Sequence, residues 1–178
     1  MGEQTRVTIR PATMHDAAAI ADVHVRSWQA AYRGMMPQDY LDRLDPADRL
    51  PRWRRLLADP DRSRTDVLVA VGDDGVCGFS SFGPSRDEDQ DPGCVADVRA
   101  IYVAPDSVSH GVGRLLMTAS LERLALIGYE QVTLWVLDAN ERARRFYEIA
   151  GFRSDGGSKL DNWDELHLTE VRYRRPLP

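Results

Sequence analysis

The chain has 178 residues, which suits a single globular domain, and its 43% hydrophobic content is enough to bury a substantial core. Charged residues make up 29% of the chain, and Pro and Gly are scattered evenly, which excludes a disordered, collagen-like or low-complexity protein. The net charge of -5 comes without a basic patch, so nucleic acid is not an expected partner.

The first sixty residues predict a strand followed by three helices. Residues 6–10 alternate polar and apolar side chains before a proline, which is typical of a short strand. Thr13 is placed to cap a helix that runs to about Ala31. A second helix is expected over 37–44 and a third from Pro46 to the Asp-Pro-Asp at 59–61.

The middle of the chain predicts three strands. The runs DVLVAV (66–71) and VCGFSSF (76–82) flank an Asp-Asp-Gly turn and indicate a β-hairpin. The acidic stretch 87–92 is expected to be a loop that serves solvation. Residues 95–103 then indicate a further strand.

The remaining segments alternate between helix and strand. Residues 111–127 have an amphipathic helical pattern ending at a glycine, 131–136 indicate a strand, and 140–150 indicate another helix. Residues 166–173 indicate a final strand, so one or two strands are expected at this end of the chain. This order predicts a mixed α and β protein with helices on the faces of a mixed sheet.

Cysteines, histidines and apolar runs exclude several other classes of site. Cys77 and Cys94 lack CxxC spacing, and the histidines form no HxxxH or CxxH cluster, so no metal site is expected. No run approaches the ~18 apolar residues that span a bilayer, and residues 1–10 have no apolar core of signal-peptide length. We therefore expect a cytoplasmic protein with reduced thiols and no membrane contact.

The segment YVAPDSVSHGVGRLL (102–116) runs from a strand through a Gly-x-Gly loop into a helix. Gly111 and Gly113 let the backbone approach an anion, and the first N–H groups of the helix have no partner within it. The segment therefore indicates a site for a pyrophosphate, although a glycine turn that serves packing alone is the alternative. Neither a P-loop nor a GxGxxG motif is present, which disfavours ATP and NAD.

Two motifs flank this loop: DxxxxYVxP at 97–105 and NxxAxxFYxxxGF at 140–152. Together they resemble the GNAT superfamily of N-acetyltransferases. The resemblance implies one domain over residues 1–178, with a mostly antiparallel sheet of about seven strands and helices on both faces. It implies that acetyl-CoA is the cosubstrate and that a primary amine attacks the thioester directly in a ternary complex.

By the same resemblance, the strand before the loop contacts the pantetheine arm, and the loop with the helix start binds the pyrophosphate. The implied cofactor-binding residues are Ile101, Tyr102, Val103, Val108, Ser109, His110, Gly111, Val112, Gly113, Arg114, Asn140 and Tyr147. Asn140 is equally suited to be a plain helix N-cap. The chain departs from the family at Val108, where Arg or Gln is usual, and at Ser109, where Gly is common.

The resemblance also implies the catalytic groups. Tyr147 occupies the place of the acid that protonates the leaving thiolate. Asp97 is the leading candidate for the base, working through an ordered water, because an ammonium group must lose a proton before it attacks. An ion pair of Asp97 with a neighbour such as Arg99 is the alternative, and His24 and His110 are weaker candidates for the base.

The acceptor pocket of this family is built by the first helices and the last strands. The implied substrate-binding residues are Trp28, Tyr32, Tyr40, Trp163 and Asp164. Aromatic side chains favour a closed pocket for a small-molecule amine, but a protein or peptide acceptor, a larger acyl donor, and a CoA-binding domain without catalysis stay open. Relatives often pair through their C-terminal strands, so a homodimer is expected.

Overall fold

The computed structural model describes residues 7–59, 64–108, 110–163 and 166–178. The strands in these ranges are β1 (Thr8–Pro11), β2 (Asp66–Gly72), β3 (Gly75–Pro84), β4 (Val95–Val103), β5 (Gln131–Leu137), β6 (Arg153–Trp163) and β7 (Leu166–Pro176). These strands form one seven-stranded sheet in the order β1-β2-β3-β4-β5-β7-β6. Only the β4–β5 pair among them is parallel. The mixed, mostly antiparallel sheet expected from the sequence is confirmed.

Helices cover both faces of this sheet. They are α1 (Ala17–Ala31), α2 (Gln38–Asp42), α3 (Pro46–Ala58), α4 (Val112–Ile127) and α5 (Glu141–Ile149). A hydrophobic core lies on each face of the sheet, and successive side chains of β2 point into one or the other. Val67 and Val69 pack with α1 and α3, whereas Leu68 and Ala70 pack with α4. No helix in the described ranges is long and apolar enough to cross a membrane.

Helix ends follow the sequence signals with small shifts. Thr13 precedes a 3-10 turn at Met14–Asp16 that leads into α1, and its backbone N–H donates to the Asp16 carboxylate at 2.8 Å. Asp45 caps α3 by accepting the Ala47 N–H at 2.8 Å. Residue 37, expected in the first turn of α2, is its N-cap instead.

The last two strands are longer than the sequence indicated. Both β6 and β7 have 11 residues, whereas the sequence indicated a strand only over 166–173 and left a second one open. Residues 154–158 read Ser-Asp-Gly-Gly-Ser, which has low β propensity. Pairing with β7 supplies what the local sequence lacks, with an irregularity between Ser154 and Ser158.

The parallel pair β4–β5 is short. It has three residue pairs, from Val95↔Gln131 to Asp97↔Thr133. Beyond Asp97, β4 continues along β3 to Val103, while β5 continues along β7 to Leu137. The two strands therefore separate in the middle of the sheet, and we call the space between them the cleft.

Candidate active site

The end of β4 leads into the start of α4 through a loop shaped for an anion. A 3-10 turn, Pro105–Ser107, follows the strand, and Gly111 is the N-cap of α4 with a φ of 79°. A Cβ at Gly111 would meet nothing within 4 Å, so none of the described side chains crowds this glycine. The Leu115 N–H donates to the Gly111 carbonyl at 3.1 Å, and the amides before it belong to the first turn of the helix, whose N–H groups lack partners within the helix.

The structure thus gathers most of the expected phosphate-binding residues at one helix N-terminus. They are Val108, His110, Gly111, Val112, Gly113 and Arg114. Ser109 lies outside the described residues. The departure from the family at Val108 leaves the backbone arrangement in place, because the N–H groups and the helix dipole supply the attraction.

The strand before the loop presents its backbone to the cleft. Ile101 and Val103 pack their side chains on the α4 side, whereas Tyr102 packs on the opposite face. Main-chain groups of this segment that point away from β3 have no partner strand among the described residues once β5 has diverged. They are therefore placed to pair with an extended chain such as pantetheine.

Asn140 acts as a helix cap. Its Oδ1 accepts the Ala143 N–H at 3.0 Å at the start of α5, and its side chain is buried. The structural role foreseen for this residue is thus present, and it fixes the helix that carries Tyr147.

Tyr147 lies on α5 with its ring edge-on to Phe146 and Phe152, at centroid distances of 5.4 Å and 6.0 Å. Burial, and in second place the nearby Tyr102 of β4, raise the pKa of Tyr147 well above its usual value. The phenol therefore keeps its proton at neutral pH, as an acid toward a thiolate must.

Asp97 is buried and held by arginine. Its Oδ2 accepts hydrogen bonds from Arg86 Nε at 3.1 Å and Arg86 Nη2 at 2.9 Å, and Arg99 Nε lies 3.9 Å away. Burial raises the pKa of Asp97, while the two arginines oppose that shift. The pairing with Arg99 foreseen from the sequence is secondary to the pair with Arg86, which the sequence analysis missed.

His24 does not suit the role of a base. Its Nδ1 accepts the Trp53 Nε1–H at 3.3 Å, and its ring stacks on Tyr102 at 5.4 Å. Burial, followed by the charges of Arg49 and Arg52, lowers the pKa of His24 to about 4. The imidazole is thus a neutral packing group inside a set of aromatic rings.

An aromatic cluster covers the cleft on the α1 side. It consists of Trp28, Tyr32, Tyr40 and Tyr102, packed with Met36, Leu41, Leu137 and Leu168. Tyr32 Oη lies 3.3 Å from Tyr102 Oη, which joins the end of α1 to β4. Trp28 is 5% exposed and packs edge-to-face with the ring of Tyr32, with ring centroids 5.0 Å apart.

The other residues expected to bind the acceptor are less informative. Trp163 is the last residue of β6, and Asp164 lies outside the described residues. A carboxylate that the sequence analysis did not single out, Glu170 of β7, lies on the strand face of Leu168, which packs with the aromatic cluster, and its charge helps to raise the pKa of both Tyr32 and Tyr102. Its position on the same face as Leu168 and Arg172 in LHLTEVRY was the available signal.

The acidic loop 87–92 is not a purely solvated segment. Arg172 of β7 donates to both carboxylate oxygens of Asp89 at 2.7 Å and to Asp87 at 3.1 Å. Asp87 also accepts the Trp135 Nε1–H at 3.0 Å. The loop is therefore tied to β5 and β7 across the divided sheet, which corrects the expectation of simple solvation.

Comparisons with known proteins agree with this geometry. Residues 23–152 match the acetyltransferase (GNAT) family. The chain is 35% identical to the uncharacterized N-acetyltransferase YuaI of Bacillus subtilis (strain 168), over 83% of this chain and 88% of the relative. It is 25% identical to a phosphinothricin N-acetyltransferase of Streptomyces viridochromogenes, over 99% of this chain and 93% of the relative.

A solved structure shows the same fold. The PaiA N-acetyltransferase from Thermoplasma acidophilum, in complex with coenzyme A, has a TM-score of 0.70 at 18% identity, over 96% of this chain and 99% of that chain. The family match begins inside α1 and ends at Phe152, so it includes all four aromatic residues of the cluster, the loop before α4 and both motifs.

Proposed function

Because the chain belongs to the acetyltransferase (GNAT) family and is an acetyl-CoA-dependent N-acetyltransferase, we propose that its acceptor is the primary amine of a small molecule. The observation that carries this proposal is the 3.3 Å contact between the hydroxyls of Tyr32 and Tyr102, which joins the C-terminal end of α1 to β4 and lines the cleft with aromatic side chains. An aromatic-lined cleft suits a small amine better than an extended peptide. One relative, moreover, is named for phosphinothricin.

The donor half of the reaction uses groups already described. The N-terminus of α4 and the open space at Gly111 fit a pyrophosphate, and the unpaired edge of β4 fits the pantetheine arm. When bound, acetyl-CoA supplies the thioester. A backbone N–H of β4 near 98–101 then stabilises the negative charge that develops on the carbonyl oxygen.

The transfer needs an acid and a base. Tyr147 donates its proton to the departing thiolate, for which its raised pKa keeps it protonated. The acceptor nitrogen attacks directly, so no acyl-enzyme forms and both substrates are bound together. Asp97 and Glu170 are the two carboxylates that compete for the role of base.

The test is a screen of the purified full chain with acetyl-CoA against separate sets of small amines and of peptides, following thiol release and confirming the acetylated product by mass spectrometry. We expect turnover with small amines. Turnover confined to peptides would overturn the small-molecule proposal, and the absence of turnover with any acceptor would overturn the proposed function itself. Reactions without acceptor correct for hydrolysis, and other acyl-CoA thioesters in place of acetyl-CoA define the donor.

A further inference from the structure

We propose that Glu170, rather than Asp97, receives the ammonium group of the acceptor and takes its proton. This inference rests on the acetyl transfer to an amine proposed above. It assigns to β7 a catalytic group that neither of the two sequence motifs contains.

The strand register places Glu170 at the acceptor side of the cleft. It pairs with Leu137, the last residue of β5, where β5 has already separated from β4. Leu137 and Leu168 both pack with the aromatic cluster, and alternation along β7 puts Glu170 on that face. Val171, the next residue, packs on the opposite face, which agrees with this assignment.

The face of β7 that carries Leu168 and Glu170 packs against the phenols of the aromatic cluster. The charge of Glu170 helps to raise the pKa of Tyr32 and of Tyr102, whose hydroxyls are 3.3 Å apart. Tyr147, the expected acid, also acts on Tyr32. Glu170 is thus close to the groups that should border the thioester, and its side chain is 13% exposed.

The local charge at Glu170 suits a cation better than the charge at Asp97. Within the described residues, Glu170 forms an ion pair with Lys159, whose Nζ lies 3.2 Å away and whose side chain is 43% exposed. That pair is partly screened by water, and a carboxylate has about four acceptor sites. Asp97 instead faces two guanidinium groups, Arg86 and Arg99, which would repel an arriving ammonium ion.

Space for the rest of the acceptor lies beside the same strand. A cavity of about 260 Å³ lies between the α1–α2 loop, the end of β5 and the start of β7, and apolar and polar residues both line it: Met35, Leu137, Asp138, Ala139, His167, Leu168 and Thr169. Glu170 is the next residue after Leu168 on that face of β7. An alkylammonium acceptor can therefore place its charge at Glu170 and its carbon chain toward this cavity.

The proton and bond changes balance with one proton released. The ammonium group gives a proton to Glu170, and the neutral amine forms a bond to the carbonyl carbon as the C–S bond breaks. The thiolate takes the proton of Tyr147. The nitrogen, now bonded to the carbonyl carbon, loses one more proton to become an amide, and that proton returns to the oxygen of Tyr147. Glu170 then releases its proton to water, so that the products are an amide, a free thiol and H⁺.

The test compares Glu170→Gln, Asp97→Asn and Lys159→Gln in the full chain, with the best acceptor from the amine screen. Glu170→Gln should lower kcat/KM for the amine about 100-fold, a typical loss for a general base, and flatten the acidic limb of its pH profile. Affinity for acetyl-CoA should stay within about threefold. Lys159→Gln breaks the same ion pair but keeps the carboxylate, so it should retain kcat/KM within about fivefold.

Two outcomes would overturn the inference. One is an active wild type whose Glu170→Gln variant keeps kcat/KM within threefold. The other is a larger loss in Asp97→Asn than in Glu170→Gln while both variants bind acetyl-CoA, which would give the base role to Asp97. If Asp97→Asn fails to fold, Glu170→Asp is compared with Glu170→Gln instead. If Glu170 is the base, the Asp variant should recover part of the kcat/KM lost in the Gln variant and should again show the acidic limb of the pH profile. An inactive wild type contradicts the proposed function instead, so the two failures are distinguishable.

Discussion

At the scale of single residues, the hydroxyl of Tyr147 is the group whose removal tests the chemistry most directly. Tyr147→Phe should lower kcat about 100-fold, because the thiolate loses its proton donor, while the ring keeps its contacts with Phe146 and Phe152. Affinity for acetyl-CoA, measured by calorimetry, should change little. Loss of that affinity would refute the assigned role.

Tyr129 offers a matched control for this substitution. It is 2% exposed, follows the C-terminus of α4, and its hydroxyl donates to the Arg64 carbonyl at 3.3 Å. Tyr129→Phe should cost about 1 kcal/mol of unfolding free energy and leave kcat unchanged. A comparable loss of kcat in both variants would mean that the effect at Tyr147 is structural.

The buried imidazole of His24 makes stability depend on pH. Its pKa is lowered to about 4 in the folded chain, whereas the unfolded chain binds the proton near pH 6.5. Between these two pH values the unfolded state binds more protons than the folded state. The contribution of His24 to the free energy of unfolding is therefore fully present above pH 6.5 and is lost as the pH falls toward 4, by about 3 kcal/mol in all.

The measurement for His24 is urea unfolding across this window, for the wild type and His24→Gln. The variant should show a smaller loss of unfolding free energy on acidification, since carboxylates contribute equally to both proteins. Equal slopes for the two proteins would contradict the burial of an uncharged His24.

At the scale of elements, α4 has a positive-φ glycine at each end. Gly111 and Gly128 have φ values of 79° and 99°, and a Cβ at either meets nothing within 4 Å. Each substitution to Ala should cost about 1 kcal/mol of stability because of the left-handed backbone. Only Gly111→Ala should weaken acetyl-CoA binding, by tenfold or more, because only that end is proposed to bind the pyrophosphate.

Thermal unfolding and titration with acetyl-CoA separate these two effects. Equal weakening of acetyl-CoA binding by both variants would show that the loss comes from the helix as a whole. A Gly111→Ala protein with normal affinity would contradict the placement of the pyrophosphate at this N-terminus.

The sequence could suggest a donor half of the site because the residues proposed for it are local in sequence. The strand, the loop and α4 form one segment, and the NxxAxxFYxxxGF motif follows after a single strand. The Arg86–Asp97 pair and the contact between the Tyr32 and Tyr102 hydroxyls join distant segments. Local propensity and periodicity carry no information on such contacts, and β6 was underestimated because β7 supplies most of its stabilisation.

At the scale of the whole molecule, the sheet is divided into two parts. One contains β1 to β4, the other β5, β7 and β6, and three residue pairs join them along β4 and β5. The amides of 98–103 that point toward the cleft should therefore exchange with deuterium faster than their neighbours bonded to β3. The homodimer expected from the resemblance stays a prediction.

Acetyl-CoA should slow the exchange of these amides, since its pantetheine arm would take the place of the missing strand. Residue-resolved exchange by NMR, with and without acetyl-CoA, measures this effect. Protection confined to β6 and β7 would place the cosubstrate elsewhere. Amides between β2 and β3, paired along the whole hairpin, provide the internal reference.

The division of the sheet also assigns recognition of the donor and recognition of the acceptor to different segments of the sequence. In the proposed site, the donor would be held by one continuous stretch from β4 to Phe152, whereas the acceptor side would be built from α1, the loop after it, and β7. Random substitutions near either terminus can therefore change which amine is used without disturbing recognition of the nucleotide. A fold arranged in this way is evolvable, because new acceptors can be tried while the donor is kept.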